Sequence, residues 1–157
     1  MNWKRFWVAV FAIFIFALVW NAFVHLVLLK EANLALEGVA RPVAERNIAL
    51  GLLLTAGVAV LFVYSYVSFV RTPGVKRALY HGVFFAFLAG LLVDLNQFFL
   101  YPIPGSLAAT WFLFGFIEFC FYGLLVSWLY PIVAQTGAEA DRCAPDDFSL
   151  DYKKIQK

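Results

Sequence analysis

The chain has 157 residues, 64% of them apolar and only 14% charged, with a formal net charge of +2 and a mean hydropathy of +0.83. Soluble domains run at about 45–50% apolar and about 25% charged residues, so this composition excludes a water-soluble globular domain. Its two cysteines, Cys120 and Cys143, form no CxxC pair and exclude a disulfide framework or a dithiol redox site. No phosphate loop, nucleophile elbow or nucleic-acid signature occurs.

The first apolar run, residues 6–29, is too long for the core of a signal peptide and lacks a small-residue cleavage pattern, so it is expected to stay as a membrane span. Asn21 and His25 lie four residues apart on one of its faces. The connection that follows carries Lys30, Arg41 and Arg46 together with Glu31, Glu37 and Glu45. Residues 31–37 are expected to make one or two turns on the membrane surface, ended by Gly38, with Leu34 and Leu36 partly buried. Its mixed charge reads as a solvated loop, not as a docking patch for anionic lipid.

The second run, residues 47–70, carries a small and polar stripe of Asn47, Gly51 and Thr55, and ends at the turn Arg71-Thr72-Pro73-Gly74. The third, residues 78–100, sets Gly82, Ala86 and Gly90 at four-residue spacing, a ridge that lets a neighbouring backbone approach closely and that ends on Asp94, followed by Asn96 and Gln97. The uncharged turn of residues 101–106 follows, with Ser106 expected as the N-cap of the next helix. The fourth run, residues 107–130, presents Trp111, Gly115, Glu118 and Tyr122 on one side. Each run exceeds the roughly 20 residues needed to span a hydrocarbon core.

The fold expected is an all-α membrane protein, a four-transmembrane-helix up-down-up-down bundle over residues 1–134, followed by a polar cytoplasmic tail over residues 135–157. Lys4, Arg5, Arg71, Lys76, Arg77 and the tail cations Arg142, Lys153, Lys154 and Lys157 place both termini in the cytoplasm by the positive-inside bias. The tail reads as flexible on its own, with Phe148, Leu150 and Ile155 as apolar anchors for a partner.

Helical rise sets His25 about 6 Å, Asp94 about 9 Å, Asn21 about 12 Å and Glu118 about 17 Å below the outer boundary. Side chains tilt toward the N-terminus of their own helix. Glu118 therefore leans outward, while Asn21, His25 and Asp94 lean inward, and a polar cavity in the outer half of the bundle is expected. His81 lies roughly 20 Å from the height of His25, which excludes a haem ligated by both within one chain.

Intramembrane acids are expensive and mark functional sites by default. Asn21, His25, Asp94, Asn96, Gln97, Glu118 and Tyr122 form the candidate cluster. One reading is a hydrogen-bonded core that fixes helix register, with the acids paired to Asn21, Asn96, Gln97 or Tyr122. Others are a metal site from His25, Asp94 and Glu118, a proton path, or acid–base chemistry on a lipid or isoprenoid. The cofactor is unknown, and no metal is assigned.

The opening Met1-Asn2-Trp3-Lys4-Arg5-Phe6, the segment from Trp20 through Asn21 and His25 to Leu29, the stretch Tyr101-Pro102-Ile103-Pro104, and the fourth run with Gly115 and Gly123 resemble small bacterial four-helix membrane proteins with no assigned activity. The resemblance implies a four-helix topology and the bacterial inner membrane, and transfers no catalytic residue. The function expected is contact in the bilayer, as an accessory or assembly subunit of a larger membrane complex with a protein partner and no nucleic acid. The alternative is a membrane-embedded enzyme or binding protein for a lipid, isoprenoid or metal ion that uses the outer cavity. Under either reading, Asp94→Ala is expected to lower stability in detergent.

Overall fold

The computed structural model describes residues 1–36 and 38–132. Glu37, the boundary expected at residue 134, Cys143 and the tail with its apolar anchors lie outside the described residues. Those that are described form helices and turns, with no strand among them.

Helix α1 (Trp3–Phe23) starts at Asn2, whose Oδ1 accepts the Arg5 N–H at 3.2 Å, and runs on into a π turn, Val24–Leu28. Two short 3-10 turns, Ala32–Leu36 and Val43–Glu45, occupy the long connection. Gly38 follows the first of them at φ +83°, the left-handed region that a glycine reaches without steric cost. Helix α2 (Ile48–Phe69) is capped by Asn47, which accepts the Leu50 N–H at 3.0 Å. Helix α3 (Val75–Ala89), a second π turn (Gly90–Asp94) and α4 (Leu95–Leu100) make one continuous rod. Helix α5 (Gly105–Leu129) completes the set.

Four helical stretches, Trp3–Leu28, Ile48–Phe69, Val75–Leu100 and Gly105–Leu129, are long and apolar enough to cross a membrane. The first and third begin about a turn before their apolar runs. Lys4, Arg5, Lys76 and Arg77 interrupt hydropathy there without breaking helical geometry. Large apolar side chains such as Phe11, Leu53, Phe84, Leu92, Phe99 and Leu113 point away from the protein and stay exposed. A surface so apolar points to a multi-pass membrane protein.

Packing is uneven around the bundle. The most extensive seam joins α3 to α5, and α1 packs on both α2 and α5. Glycines explain the closeness of the first seam. A Cβ on Gly123 would lie 2.6 Å from the Ala78 carbonyl oxygen, one on Gly82 would strike the Phe119 carbonyl, and one on Gly90 would enter the Phe112 ring. The ridge Gly82, Ala86, Gly90 is thus buried along its length. Phe6, Ile13, Phe62, Val63, Tyr66 and Val126 anchor the core, which occupies the half of the bundle where α1 and α3 begin. At that end the Asn2 N–H donates to the Tyr130 hydroxyl at 3.0 Å, bringing the start of α1 to the end of α5.

The seam between α2 and α3 is the thinnest of the four around the bundle. His81 fastens it, with Nε2 lying 3.1 Å from Ser65 Oγ and 3.3 Å from the Phe62 carbonyl oxygen. Gly51 has nothing within 4 Å of its Cβ position. The stripe Asn47, Gly51, Thr55 is therefore not a packing ridge. Asn47 is spent on the helix cap, and Thr55 Oγ1 bonds back to the Gly51 carbonyl at 3.0 Å.

Two local expectations are corrected. Ser106 does not cap α5. The helix starts two residues earlier than expected, at Gly105 behind Pro104, whose φ of −60° already suits a helix entry, and the Ser106 carbonyl accepts the Thr110 hydroxyl. Leu34 is exposed, not partly buried, because the 3-10 turn directs it away from the bundle.

Candidate functional site

A cleft of about 440 Å³ lies in the half of the bundle beyond the core, walled by all four spans. Its apolar walls include Val24, Leu54, Val58, Val93 and Phe114. Its polar lining consists of Asn21 and His25 from the first span, Thr55 from α2, Asp94 and Gln97 from the third, and Trp111, Glu118 and Tyr122 from α5. Six of the seven residues singled out from sequence thus face one space. Asn96 does not line it, because it adjoins Gln97 on the rod and consecutive helical residues point in different directions.

Glu118 is the best-anchored group in the cleft. Asn21 donates one amide N–H to Glu118 Oε1 at 2.9 Å and another to the Ala17 carbonyl of its own helix, also at 2.9 Å. The Tyr122 hydroxyl donates to the same Glu118 oxygen from one turn along α5. A buried carboxylate is costly unless donors surround it, and these two supply that shell from α1 and α5. Nearby, Trp20 Nε1 donates across the same seam to the Phe114 carbonyl at 3.3 Å.

Asp94 is held differently. Its Oδ2 lies 4.0 Å from the Cβ position of Gly115, so the carboxylate faces that glycine across the cleft at ordinary contact distance. No hydrogen bond reaches Asp94 among the described residues, whereas Glu118 receives two.

Both π turns border the cleft, one carrying His25 and the other ending on Asp94. A π turn winds an extra residue into the helix and recurs at functional sites. Here the Leu29 N–H reaches back to the Val24 carbonyl at 2.8 Å, and the Asn33 side chain donates to the His25 carbonyl at 3.1 Å. The four-residue spacings Asn21 to His25 and Gly90 to Asp94 conceal these turns, since they look like ordinary helical repeats.

Although His25, Asp94 and Glu118 share the cleft, no group of three His, Cys, Asp or Glu side chains among the described residues is set to hold a metal ion. His81 sits elsewhere, between α2 and α3 among Phe62, Tyr66 and Phe85.

Above the cleft the long connection folds over a second space of about 860 Å³, which shares His25, Gln97 and Trp111 with the first. Lys30, Arg41 and Arg46 all line it, and Arg46 Nε is held to the Arg41 carbonyl at 2.9 Å. Neither Glu31 nor Glu45 lines it. Of the connection's described charged residues, the three cations thus face this space and the two acids do not, which the linear sequence did not convey. Two polar atoms here, Trp111 Nε1 and Asn33 Oδ1, are buried without a partner among the described residues.

Comparison with family models, with curated proteins and with solved structures gives no match for this chain.

Proposed function

We propose that this chain is a bacterial inner-membrane protein, inserted as an up-down-up-down bundle with cytoplasmic termini, whose outer-half cleft binds a lipid or isoprenoid. The single observation that carries the binding reading is the cleft itself, walled by all four spans and bordered by the thinnest seam of the bundle. Apolar walls with a few convergent polar groups are the usual make-up of a small-molecule site. The pairing of Ala78 with Gly123 and of Gly82 with Phe119, and the bond from Asn2 to Tyr130, support alternating helix directions. The cations around Lys4, Arg71 and Arg77 support the orientation.

Native mass spectrometry of protein extracted gently from its own membranes tests this reading. Expected is a stoichiometric amphiphile adduct that Gly115→Ala retains and Gly115→Leu displaces. A Cβ at Gly115 meets only Asp94 Oδ2, at ordinary contact distance, whereas a larger side chain intrudes into the cleft. Wild type free of any amphiphile would overturn the reading.

One observation favours the accessory-subunit reading. Gly51 and Gly57 on α2 have open space at their Cβ positions, leaving that helix with small-residue positions unpacked within the chain. The same spectra decide it, since a larger assembly of fixed stoichiometry would reveal the partner subunit.

A further inference from the structure

The space above the cleft has its own chemistry. Lys30, Arg41 and Arg46 converge there from residues spread along the long connection, with no acidic side chain among the described lining residues. It is continuous with the cleft through His25, Gln97 and Trp111. The Trp111 Nε1–H is a buried donor with no partner among the described residues, at the junction of the two spaces. A buried donor left unpaired carries a desolvation penalty, so an acceptor there would relieve it.

We infer that the ligand is an amphiphile with a phosphate headgroup, held in the vestibule by Lys30, Arg41 and Arg46 with Trp111 as a hydrogen-bond donor, while its chain lies along the apolar walls of the cleft. The inference rests on the proposed cleft-binding function and adds the headgroup chemistry. Arginine suits the role because its planar donor fork matches phosphate oxygens, and such charge-assisted bonds are about twice as strong as neutral ones. The thin α2–α3 seam gives the chain a lateral route to the bilayer. Phosphate of this kind is carried by an isoprenyl phosphate or by an ordinary anionic phospholipid.

The test uses the full chain in phosphatidylcholine nanodiscs, with four probes titrated in turn: farnesyl phosphate, farnesol, phosphatidylglycerol and inorganic phosphate. Farnesyl phosphate is expected to bind at least about tenfold more tightly than farnesol. Arg41→Gln and Lys30→Gln are each expected to weaken farnesyl phosphate by about tenfold and leave farnesol unchanged. Arg41→Lys is expected to recover part of the loss. Both positions are exposed, so these variants keep the fold. Trp111→Phe is expected to weaken only the phosphate-bearing probes.

Phosphatidylglycerol matching farnesyl phosphate would identify the headgroup source as bulk anionic lipid, and its failure to compete would identify the isoprenyl phosphate; either supports the headgroup assignment. Equal affinity for farnesol and farnesyl phosphate, or charge variants that leave both unchanged, would overturn it with the cleft reading intact. Inorganic phosphate that binds as well as farnesyl phosphate would also overturn it, because the chain would then add nothing. If no amphiphile binds and Gly115→Leu is silent, the cleft reading itself fails.

Discussion

Asn21 of α1 donates a hydrogen bond to Glu118 Oε1 of α5 across 2.9 Å, and Tyr122 donates to that same oxygen. The carboxylate is thus a structural joint as well as part of the cleft wall. Interhelical hydrogen bonds in membranes average about 0.6 kcal/mol and reach about 1.7. Glu118→Gln keeps the accepting oxygen and is expected to change stability by less than about 0.5 kcal/mol. Glu118→Ala removes the acceptor for both donors and is expected to cost about 1–3 kcal/mol. Thermal unfolding in detergent checks the pair, and equal melting temperatures for the two variants would remove Glu118 from this role.

The two tightest glycines respond differently to a methyl group. At Gly82 the obstacle is the Phe119 backbone carbonyl, which cannot turn aside, whereas at Gly90 it is the Phe112 side chain. Gly82→Ala and Gly90→Ala are each expected to cost about 1–3 kcal/mol. Adding Phe112→Leu should recover most of the loss at Gly90 and none of it at Gly82. Gly57→Ala, with nothing within 4 Å, is the control and should gain up to about 1 kcal/mol from helix propensity. A double-mutant cycle on melting free energies reads the coupling, and additive effects at Gly90 and Phe112 would contradict this packing.

These glycines also show what was readable in advance. The ridge Gly82, Ala86, Gly90 was visible because an unbroken helix repeats its face every three to four residues, and most of the cleft lining followed from the same geometry. The π turns were not, since winding one more residue into a turn leaves no compositional mark at Val24–Leu28 or Gly90–Asp94. The vestibule was hidden for another reason. Lys30, Arg41 and Arg46 come together only after two 3-10 turns and a left-handed Gly38 fold the connection back, and a linear count of its charges averages them with Glu31 and Glu45, which do not line the vestibule. Ser106 failed as a cap because the stiff turn through Pro104 had already set the start of α5.

The fastening of α2 to α3 is a third point of test. Ser65 Oγ and His81 Nε2 stand 3.1 Å apart on the one seam where backbone packing is thin. Ser65→Ala is expected to cost only about 0.6 kcal/mol in global stability. Its larger effect should be local, loosening α2 and admitting reagents to the cleft. A cysteine placed at Thr55, in a background with Cys120 and Cys143 replaced, should be alkylated faster when Ser65 is alanine. An unchanged labelling rate would mean that the seam is held elsewhere.

Asp94 completes the contrast with Glu118. It lines the cleft opposite Gly115 and receives no hydrogen bond among the described residues, so its removal breaks no interhelical bond seen in the structure. The expectation from sequence, a loss of detergent stability in Asp94→Ala, is therefore reversed in sign. Replacing a half-buried carboxylate that has no donor relieves part of its desolvation cost, and Asp94→Asn and Asp94→Leu are expected to match or exceed wild type in melting temperature. Amphiphile binding should respond instead. Asp94→Leu fills the cleft beside Gly115 and should weaken the chain's seat, while Asp94→Asn preserves the shape and isolates the effect of charge. If the vestibule holds a phosphate above this carboxylate, removing the negative charge in Asp94→Asn should tighten farnesyl phosphate and leave farnesol unchanged. A folded Asp94→Asn that binds both probes as wild type does would show that the acid exerts no field on the headgroup. A marked fall in its melting temperature would show instead that Asp94 carries a structural bond.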